Sequence, residues 1–239
     1  KETAEEQSQR QLTNTVIGRP VNFQGLNAEK SNSQALAILE ISAKRAGFRS
    51  VEFIYEPIAA GLDFEQQLIR DKKVLVIDIG GGTSDCAMVR MGPSHRNKAD
   101  REEDFIGHNG ERVGGNDFDI QIAAKALLPL FGMNSFLKSG LPMPTQVYRN
   151  AVSTNDVGAQ ADFNNLQSSL LIDRLLIETK EPELFKRFFK IRQKKLNQHL
   201  VASAEQAKIQ LSKSSKVDVS LDYVEDALSS EITFETMEE

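Results

Sequence analysis

Two aspartates enclose a run of glycines near the middle of the sequence, in a pattern that could bind phosphate. Asp78 lies at the end of one apolar run, Asp85 precedes the next, and between them stand Gly80, Gly81, Gly82 and Thr83. Glycine lacks a Cβ atom, so backbone N–H groups in such a bend can approach an anion closely. Asp78, at the end of a strand, could hold Mg²⁺ through water, because this ion gives up its hydration shell reluctantly, and Asp85 adds a second carboxylate. The segment therefore predicts a phosphate site that works with a magnesium ion.

Two other phosphate motifs do not fit this segment. The chain contains no Gly-Lys pair, which excludes a Walker A loop. Asp85 stands where a dinucleotide-binding fingerprint needs a glycine that opens a helix. An ordinary glycine-rich hairpin is the remaining alternative, since glycine is the usual residue of turns. The two carboxylates and Thr83 favour the phosphate site, because a plain turn has no need of them.

Glu56 is a further candidate, because Pro57 follows it where a strand pattern meets a helix pattern. Proline suits the first position of a helix and keeps the residue before it extended, so the Glu56 carboxylate has a fixed direction. Such a group could take part in the chemistry of the site or could simply interact with the helix dipole. The spacing favours neither interpretation over the other.

A second glycine turn, Gly114 and Gly115, opens another helix pattern, with Asn116 or Asp117 as the predicted cap. The free N–H groups at a helix start that follows glycines can bind phosphate oxygens. Taken alone, this signal is weak.

Glu205, Lys208 and Ser212 share one face of a predicted helix, because they stand at positions i, i+3 and i+7. Small residues with the same spacing lie on another face and would allow close packing: Ala204, Ala207 and Leu211. An acceptor, a cation and a hydroxyl in one stripe could bind a purine and its ribose. An ordinary ion pair on a helix surface is the alternative.

Strands and helices that would position these groups follow from the apolar periodicity. Alternation predicts strands at residues 15–23, 51–55, 74–79, 86–91, 105–112, 217–223 and 232–234. Helical spacing predicts a helix from Ser33, as its N-cap, to Gly47, and others at residues 58–68, 120–130 and 163–211, with a break near Pro182. Residues 132–144 are predicted to form a loop. The strands at residues 74–79 and 86–91 would form a hairpin with the glycines at its bend.

Size and composition indicate one large or two small globular domains. The chain has 239 residues, a formal net charge of -5 and a pI near 5.4, which argues against nucleic acid as the main partner. The basic run at residues 186–195 has acidic neighbours and is interpreted as a solvated helix face. No apolar run approaches the ~18 residues that span a bilayer, and no signal peptide opens the chain. We therefore expect a cytoplasmic protein without a membrane partner.

Cysteine and histidine usage point away from redox and metal chemistry. Cys86 is the single cysteine, which excludes an internal disulfide and indicates a reducing compartment. Its place in an apolar strand predicts a buried structural thiol rather than a redox sensor. The three histidines show no metal-ligand spacing. Because His95 and His108 stand among charged and glycine-rich residues, we expect solvated side chains for both.

Four segments resemble, in the same order, the ATPase domain of the DnaK-like heat-shock chaperones, within the superfamily of actin and hexokinase. They are residues 16–23, residues 46–62 with the sequence Tyr-Glu-Pro-Ile-Ala-Ala-Gly-Leu at their end, the central hairpin, and residues 113–119. A fifth segment, residues 203–212, is similar to the family's adenosine-contacting helix. The amino-acid sequences of these segments are most similar to the bacterial YegD branch, a chaperone-like group. Actin and the sugar kinases share a related hairpin but not the Glu-Pro-x-Ala-Ala segment or this last helix.

The resemblance implies an α/β fold of the actin-like ATPase type, built on a ribonuclease H-like motif, with ATP or ADP and Mg²⁺ as cofactors. Gly80, Gly81, Gly82 and Thr83 would face the β- and γ-phosphates, which Gly114 and Gly115 would border. Asp78 and Asp85 would organise Mg²⁺ and the attacking water, and Glu56 would lie near the metal. Adenosine would be held by Glu205, Lys208 and Ser212. Pro20 would be the hinge that reports the nucleotide state.

The chain departs from the family pattern in several places. Residues 24–31 are an insertion, no arginine stands where the chaperones carry the residue that relays nucleotide state, and Ser84 replaces an aromatic residue. The family's first phosphate hairpin with its catalytic lysine would precede Lys1, and its late adenosine segment would follow Glu239. We therefore expect a fragment. Residues 1–50 would belong to the first-lobe side, residues 51–115 to the core of the second lobe, and residues 116–239 to its smaller subdomain.

The expected activity differs between this segment and its parent protein. For the segment alone we expect very weak nucleotide affinity and negligible turnover. The parent protein is expected to be a Mg-dependent ATPase that could act on unfolded polypeptide with a co-chaperone. Two alternatives are a nucleotide-binding scaffold without useful hydrolysis and a small-molecule kinase of the same superfamily.

Overall fold

The chain folds into two compact units in the structure, a computed structural model that describes residues 1–20 and 28–235, and the side chains of residues 1–20 and 32–235. The first unit is Lys1–Gly80 with Ser84–Glu111, and the second is Gly81–Thr83 with Arg112–Glu239. The bend of the central hairpin thus groups with the second unit. The predicted subdivision into parts of two lobes stays a prediction. The end of the first predicted strand and half of the insertion, together residues 21–27, lie outside the described residues.

The first unit begins with a parallel pair of strands joined by a helix. Its elements in this part are α1 (Glu2–Ser8), β1 (Asn14–Arg19), α2 (Ala28–Arg45), β2 (Ser50–Tyr55) and α3 (Glu56–Gln67). Asn14 pairs with Ser50 and Arg19 with Tyr55, and α2 makes the long crossover that parallel strands require.

The two ends of α2 differ in how well the sequence predicted them. The predicted N-cap at Ser33 is wrong, because α2 already begins at Ala28. Alanine, glutamate and lysine at residues 28–30 are strong helix formers that extend the helix upstream. Gly47 has a φ of +90°, so the predicted glycine stop is confirmed.

A three-stranded antiparallel sheet completes the first unit: β3 (Lys72–Ile79), β4 (Ser84–Met91) and β5 (Phe105–Glu111), in that order. The predicted hairpin is confirmed, and Asp78 lies opposite Asp85 in its register. The inner face of the hairpin packs Ala87, Val89 and Met91 against Ile58 of α3. The sheet therefore has one buried face.

The other face of this sheet is exposed. Cys86 lies on that face, contrary to the predicted buried thiol. Leu75, Ile77 and Ile79 are 52%, 64% and 69% exposed. Cys86 pairs with Ile77 and is likewise exposed, so the predicted buried thiol is wrong. Side chains alternate between the two faces of a strand, and an apolar run can therefore present half of its residues to solvent.

A buried charge cluster ties the end of α3 to the loop between β4 and β5. Arg101 donates to both carboxylate oxygens of Glu65, at 3.1 and 3.0 Å, and also pairs with Asp104. Glu65 accepts a further bond from the Gly92 N–H at 2.9 Å. His95 Nδ1 lies 2.7 Å from Asp104 Oδ1, so His95 is not the freely solvated residue that we expected, whereas His108 is exposed. The sequence offered no periodic signal for this cluster.

The second unit is mainly helical. Its helices are α4 (Gly115–Ile122), α5 (Thr145–Val152), α6 (Val157–Asn164), α7 (Leu166–Glu178), α8 (Pro182–Gln193) and α9 (Asn197–Leu211), followed by the hairpin β6 (Lys216–Ser220) and β7 (Ser229–Thr233). Its core is aromatic, with Tyr148, Phe131, Phe163, Phe185 and Phe188 almost fully buried. The predicted break near Pro182 is confirmed.

The segment after α4 differs from the single predicted helix over residues 120–130. A π-helical turn, Ala123–Leu127, and a 3₁₀ turn, Leu128–Phe131, follow α4. Pro129 lacks the N–H group that a continuing α-helix needs, which accounts for the change of helix type. Across the described parts of both units, no helix combines the length and the apolar character needed to cross a bilayer.

Candidate functional site

Three carboxylates of the first unit act on one another near the bend end of the hairpin. Asp78 and Asp85 are direct cross-strand partners, and such partners present their side chains on the same face with Cβ atoms about 5 Å apart. Glu56 begins α3. Burial raises the pKa of the Glu56 carboxyl, and the negative charges of Asp78 and Asp85 raise this pKa further. The three side chains therefore concentrate negative charge that a cation would neutralise.

Two glycines make room for these carboxylates. A Cβ atom on Gly18 in β1 would lie 3.2 Å from Glu56 Cγ, and one on Gly110 in β5 would collide with the Asp85 carboxylate. Glycine inside a strand often marks such a close approach. Sequence reasoning missed both glycines in this role, although their positions in predicted strands were a usable signal.

The Asp78 and Asp85 carboxylates suit a magnesium ion that they hold through its bound waters rather than by direct coordination. In the part of the chain that the structure describes, no three His, Cys, Asp or Glu side chains come together as a direct metal site. Mg²⁺ prefers oxygen ligands and keeps several of its waters, so two facing carboxylates suit it as partners of bound water. Asp78 and Asp85 are the residues that would hold the ion.

The bend residues of the second unit pack directly against the start of α4. An ideal Cβ atom on Gly114 would lie 2.5 Å from the carbonyl carbon of Gly81 and 2.6 Å from the nitrogen of Gly82. The Asn116 N–H donates to the Gly81 carbonyl at 2.7 Å. Since no side chain fits between the two backbones, glycine is required at residue 114. Gly82 has nothing within 4 Å of its own Cβ position, so this side of the bend is open to a ligand.

Gly114 is itself the N-cap of α4, so the predicted cap at Asn116 or Asp117 is wrong. Asp117 instead reaches back, and its carboxylate accepts the Gly114 N–H at 2.8 Å. The same Asp117 carboxylate also accepts a hydrogen bond from the Asn155 side-chain amide at 3.1 Å. Extended glycine backbone allows the chain to enter the helix at Gly114, ahead of the polar residues predicted as the cap. Asn116 covers Gly81 with its side-chain amide, 3.2 Å from the Cβ position of that glycine.

The three residues of the predicted adenosine stripe on α9 have different surroundings in the structure. Glu205 is exposed and lines a pocket of 240 Å³ with Asn116, Asp119 and Gln198. Lys208 points to α4, where its Nζ atom lies 2.7 Å from Asp119 Oδ1 and 3.0 Å from the Gly115 carbonyl oxygen. The Ser212 hydroxyl donates to the Ile209 carbonyl of its own helix. The stripe of small residues faces the core instead, with Ala204 and Ala207 buried, as close packing required.

A comparison with protein families places this fold in the actin-like ATPase class, as predicted. Residues 2–124, which are 123 of the 239 residues, match the sequence profile described as MreB/Mbl protein. Because the match covers just over half of the sequence, the chain belongs to the MreB/Mbl family. The matched part includes the whole hairpin and α4.

Known chaperones show a second similarity over a region of comparable length. The proteins described as chaperone protein HscA homolog from Rickettsia rickettsii (strain Sheila Smith), Rickettsia africae (strain ESF-5) and Rickettsia conorii (strain ATCC VR-613 / Malish 7) are 34% identical over 125 residues. The alignment covers 51% of this chain and 18% of each relative. The chain thus spans less than a fifth of the length of these curated relatives.

Proposed function

We propose that this chain contributes the phosphate-binding part of an ATPase that binds Mg·ATP and hydrolyses it. The observation that carries the proposal is the fit of the Gly114 backbone against the Gly81–Gly82 bend, held by the Asn116 N–H. The Asn116 and Asp117 N–H groups donate within the protein, so the start of α4 would attract an anion through the positive end of its helix dipole. Membership of the MreB/Mbl family supports a nucleotide-binding ATPase domain.

The roles of the individual residues follow from their chemistry. Gly80, Gly81, Gly82 and Thr83 would contact the β- and γ-phosphates, with Gly114 and Gly115 beside them. Asp78 and Asp85 would hold Mg²⁺ through water, and the magnesium ion would supply charge neutralisation for the phosphates. Glu56, whose pKa is raised, would accept a hydrogen bond from attacking water or from a metal-bound water. Glu205, Lys208 and Ser212 remain our candidates for the adenosine end.

Hydrolysis of a phosphoanhydride depends mostly on position and charge, so few side chains need to react. Thr83 provides the one hydroxyl of the bend, and its loss would remove a donor at the place where charge develops. In the full-length parent protein, we expect Thr83→Ala to lower ATP turnover about 100-fold. Thr145→Ala, an exposed threonine at the start of α5, is the matched control and should leave turnover unchanged. Equal turnover in wild type and Thr83→Ala would contradict an ATPase role.

We further propose that the parent protein is a DnaK-like chaperone, near the YegD branch, and that it acts in the cytoplasm. The 34% identity to HscA homologues supports a chaperone-type ATPase, while clients and co-chaperones stay proposals because the chain spans only 18% of those relatives. Peptide-stimulated ATP hydrolysis by the parent protein is the expected result. Consumption of ATP that depends on a small-molecule acceptor would instead favour the kinase.

A second candidate is a nucleotide-binding scaffold without useful hydrolysis. It is favoured by the sequence departures, the missing relay arginine and Ser84 in place of an aromatic residue. Under this candidate, Thr83→Ala would leave the activity of the parent protein in cells unchanged while nucleotide binding persists. Cell-based complementation with that single variant separates the two functions.

A further inference from the structure

Helix α7 of the second unit is apolar on two sides, and one of these sides faces solvent. Ile172 and Leu175 are buried in the core of the unit. Leu166, Leu170 and Ile177 are instead 74%, 60% and 72% exposed. A surface helix normally has a single apolar stripe, which faces the core, and polar residues on its other side. The exposed row of large apolar side chains on α7 therefore marks an interaction surface.

The exposed row has the spacing of a helix that packs along another helix. Leu166, Leu170, Asp173 and Ile177 are separated by four, three and four residues, the alternation that pairing helices use at their contact positions. Three of these four positions are apolar, and the fourth carries a negative charge. Arg174 follows directly, and its side chain is 71% exposed. The surface thus places one negative and one positive side chain next to each other among apolar ones.

A second copy of α7, laid antiparallel on the first, complements these charges. With the two-fold axis between residues 173 and 174, the Asp173 of each copy faces the Arg174 of the other, and Leu170 faces Ile177. A two-fold contact is self-complementary, so both the ion pair and the apolar contact occur twice. Within its own helix, Arg174 pairs with Glu178 at 2.8 Å. That exposed pair is worth little and does not prevent Arg174 from turning to a partner.

We propose that α7 is a contact between two copies of this chain, packed antiparallel about an axis between Asp173 and Arg174. One pair of short helices makes a contact smaller than a standard protein interface, so the association is weak and reversible. The inference concerns the second unit alone and is independent of the proposed ATPase function.

Charge reversal tests both the surface and its register. Sedimentation velocity follows the 239-residue chain from micromolar to millimolar concentration, where we expect wild type to dimerise. Asp173→Arg makes both central positions positive and Arg174→Asp makes both negative, so each variant alone should dimerise at least about tenfold more weakly. An equal mixture of the two variants should associate again, because the positive pair of one then faces the negative pair of the other. The double variant Asp173→Arg with Arg174→Asp should associate like wild type.

An apolar variant and a matched control complete the test. Leu170→Glu should abolish dimerisation, whereas Leu141→Glu should not, because Leu141 is a similarly exposed leucine, at 63%, that lies outside α7. Circular dichroism checks the fold of each variant, since Asp173 also attracts Arg192 of α8. If Asp173→Arg fails to fold, Arg174→Asp and Leu170→Glu still decide whether α7 is the contact.

Three results would overturn the proposal. A wild-type chain that stays monomeric at millimolar concentration would leave the α7 surface to another protein or to another segment of the parent protein. Dimerisation that Arg174→Asp and Leu170→Glu both retain would place the contact elsewhere on the chain. Two folded single variants that stay monomeric when mixed would show that Asp173 and Arg174 do not face each other across the axis.

Discussion

Adding a single methyl group at Gly114 tests the close fit between the hairpin bend and helix α4. In Gly114→Ala the new Cβ atom would stand 2.5 Å from the Gly81 carbonyl carbon and 2.6 Å from its oxygen. These are backbone atoms, so no side-chain rotation can relieve the overlap. The backbone of Gly114 is extended, with a φ of -147°, and alanine adopts that conformation without strain. In the folded state, the substitution therefore acts through steric overlap and not through backbone strain.

The size of the effect follows from these distances. Non-bonded carbon atoms prefer a separation of about 3.5–4.0 Å, so the bend and the helix start must move apart by about 1 Å. Overpacking of this kind destabilises a protein by about 1–3 kcal/mol. A displacement of about 1 Å in a group that positions substrate can lower a rate about 100-fold. The Asn116 to Gly81 hydrogen bond would be the first interaction lost.

The assay is urea unfolding of the 239-residue chain, followed by circular dichroism, with hydrogen exchange of the Asn116 amide as a local probe. Gly107→Ala is the matched control, because nothing lies within 4 Å of a Cβ atom at that glycine. We expect Gly114→Ala to unfold at lower urea and to lose protection at Asn116, while Gly107→Ala stays near wild type. If both variants unfold with wild type and Asn116 keeps its protection, the described packing of the bend is wrong.

Three further perturbations test other parts of the structure. Arg101→Met breaks a buried ion pair with Glu65 and should lower the free energy of unfolding by about 3–5 kcal/mol in urea titrations, with the half-exposed Lys98→Met as a milder comparison. Burial would raise the pKa of Asp104, but hydrogen bonds from Lys98, Arg101 and His95 outweigh it and hold the pKa below 3.8. The stability that Asp104 adds is therefore complete above that pH and is lost as the pH falls through the lowered pKa, so the difference between wild type and Asp104→Asn in thermal unfolding should shrink in acid. Cys86 should react with a thiol reagent in the native chain at nearly its rate in urea, and slow native labelling would contradict its exposed position.

Local patterns were enough to predict much of the fold. The hairpin could be located because two apolar runs flank three consecutive glycines, and the register that places Asp78 opposite Asp85 follows from a short bend. The stop of α2 at Gly47 and the break at Pro182 were also readable, because glycine and proline impose local backbone geometry.

Other features depended on contacts between distant residues and could not be read in this way. The Glu65–Arg101 pair joins residues 36 positions apart, and no periodicity announces it. Lys208 contacts Asp119 and the Gly115 carbonyl on α4, and its spacing on α9 does not reveal these distant partners. The Gly114 cap replaced Asn116 and Asp117 because a close backbone approach, invisible in propensities, decides that position.

The central claim is that the bend at residues 80–83 and the start of α4 bind the phosphates of a nucleotide. Amide chemical shifts of the isotopically labelled chain, titrated with Mg·ADP to millimolar concentration, test it most directly. The claim predicts that the amides of Gly81, Gly82, Thr83, Gly115 and Asn116 shift together with one saturation curve, and that AMP moves them far less. The claim would be contradicted if other amides shifted with a saturation curve while these five did not move. Equal responses of these amides to AMP and to Mg·ADP would also contradict it.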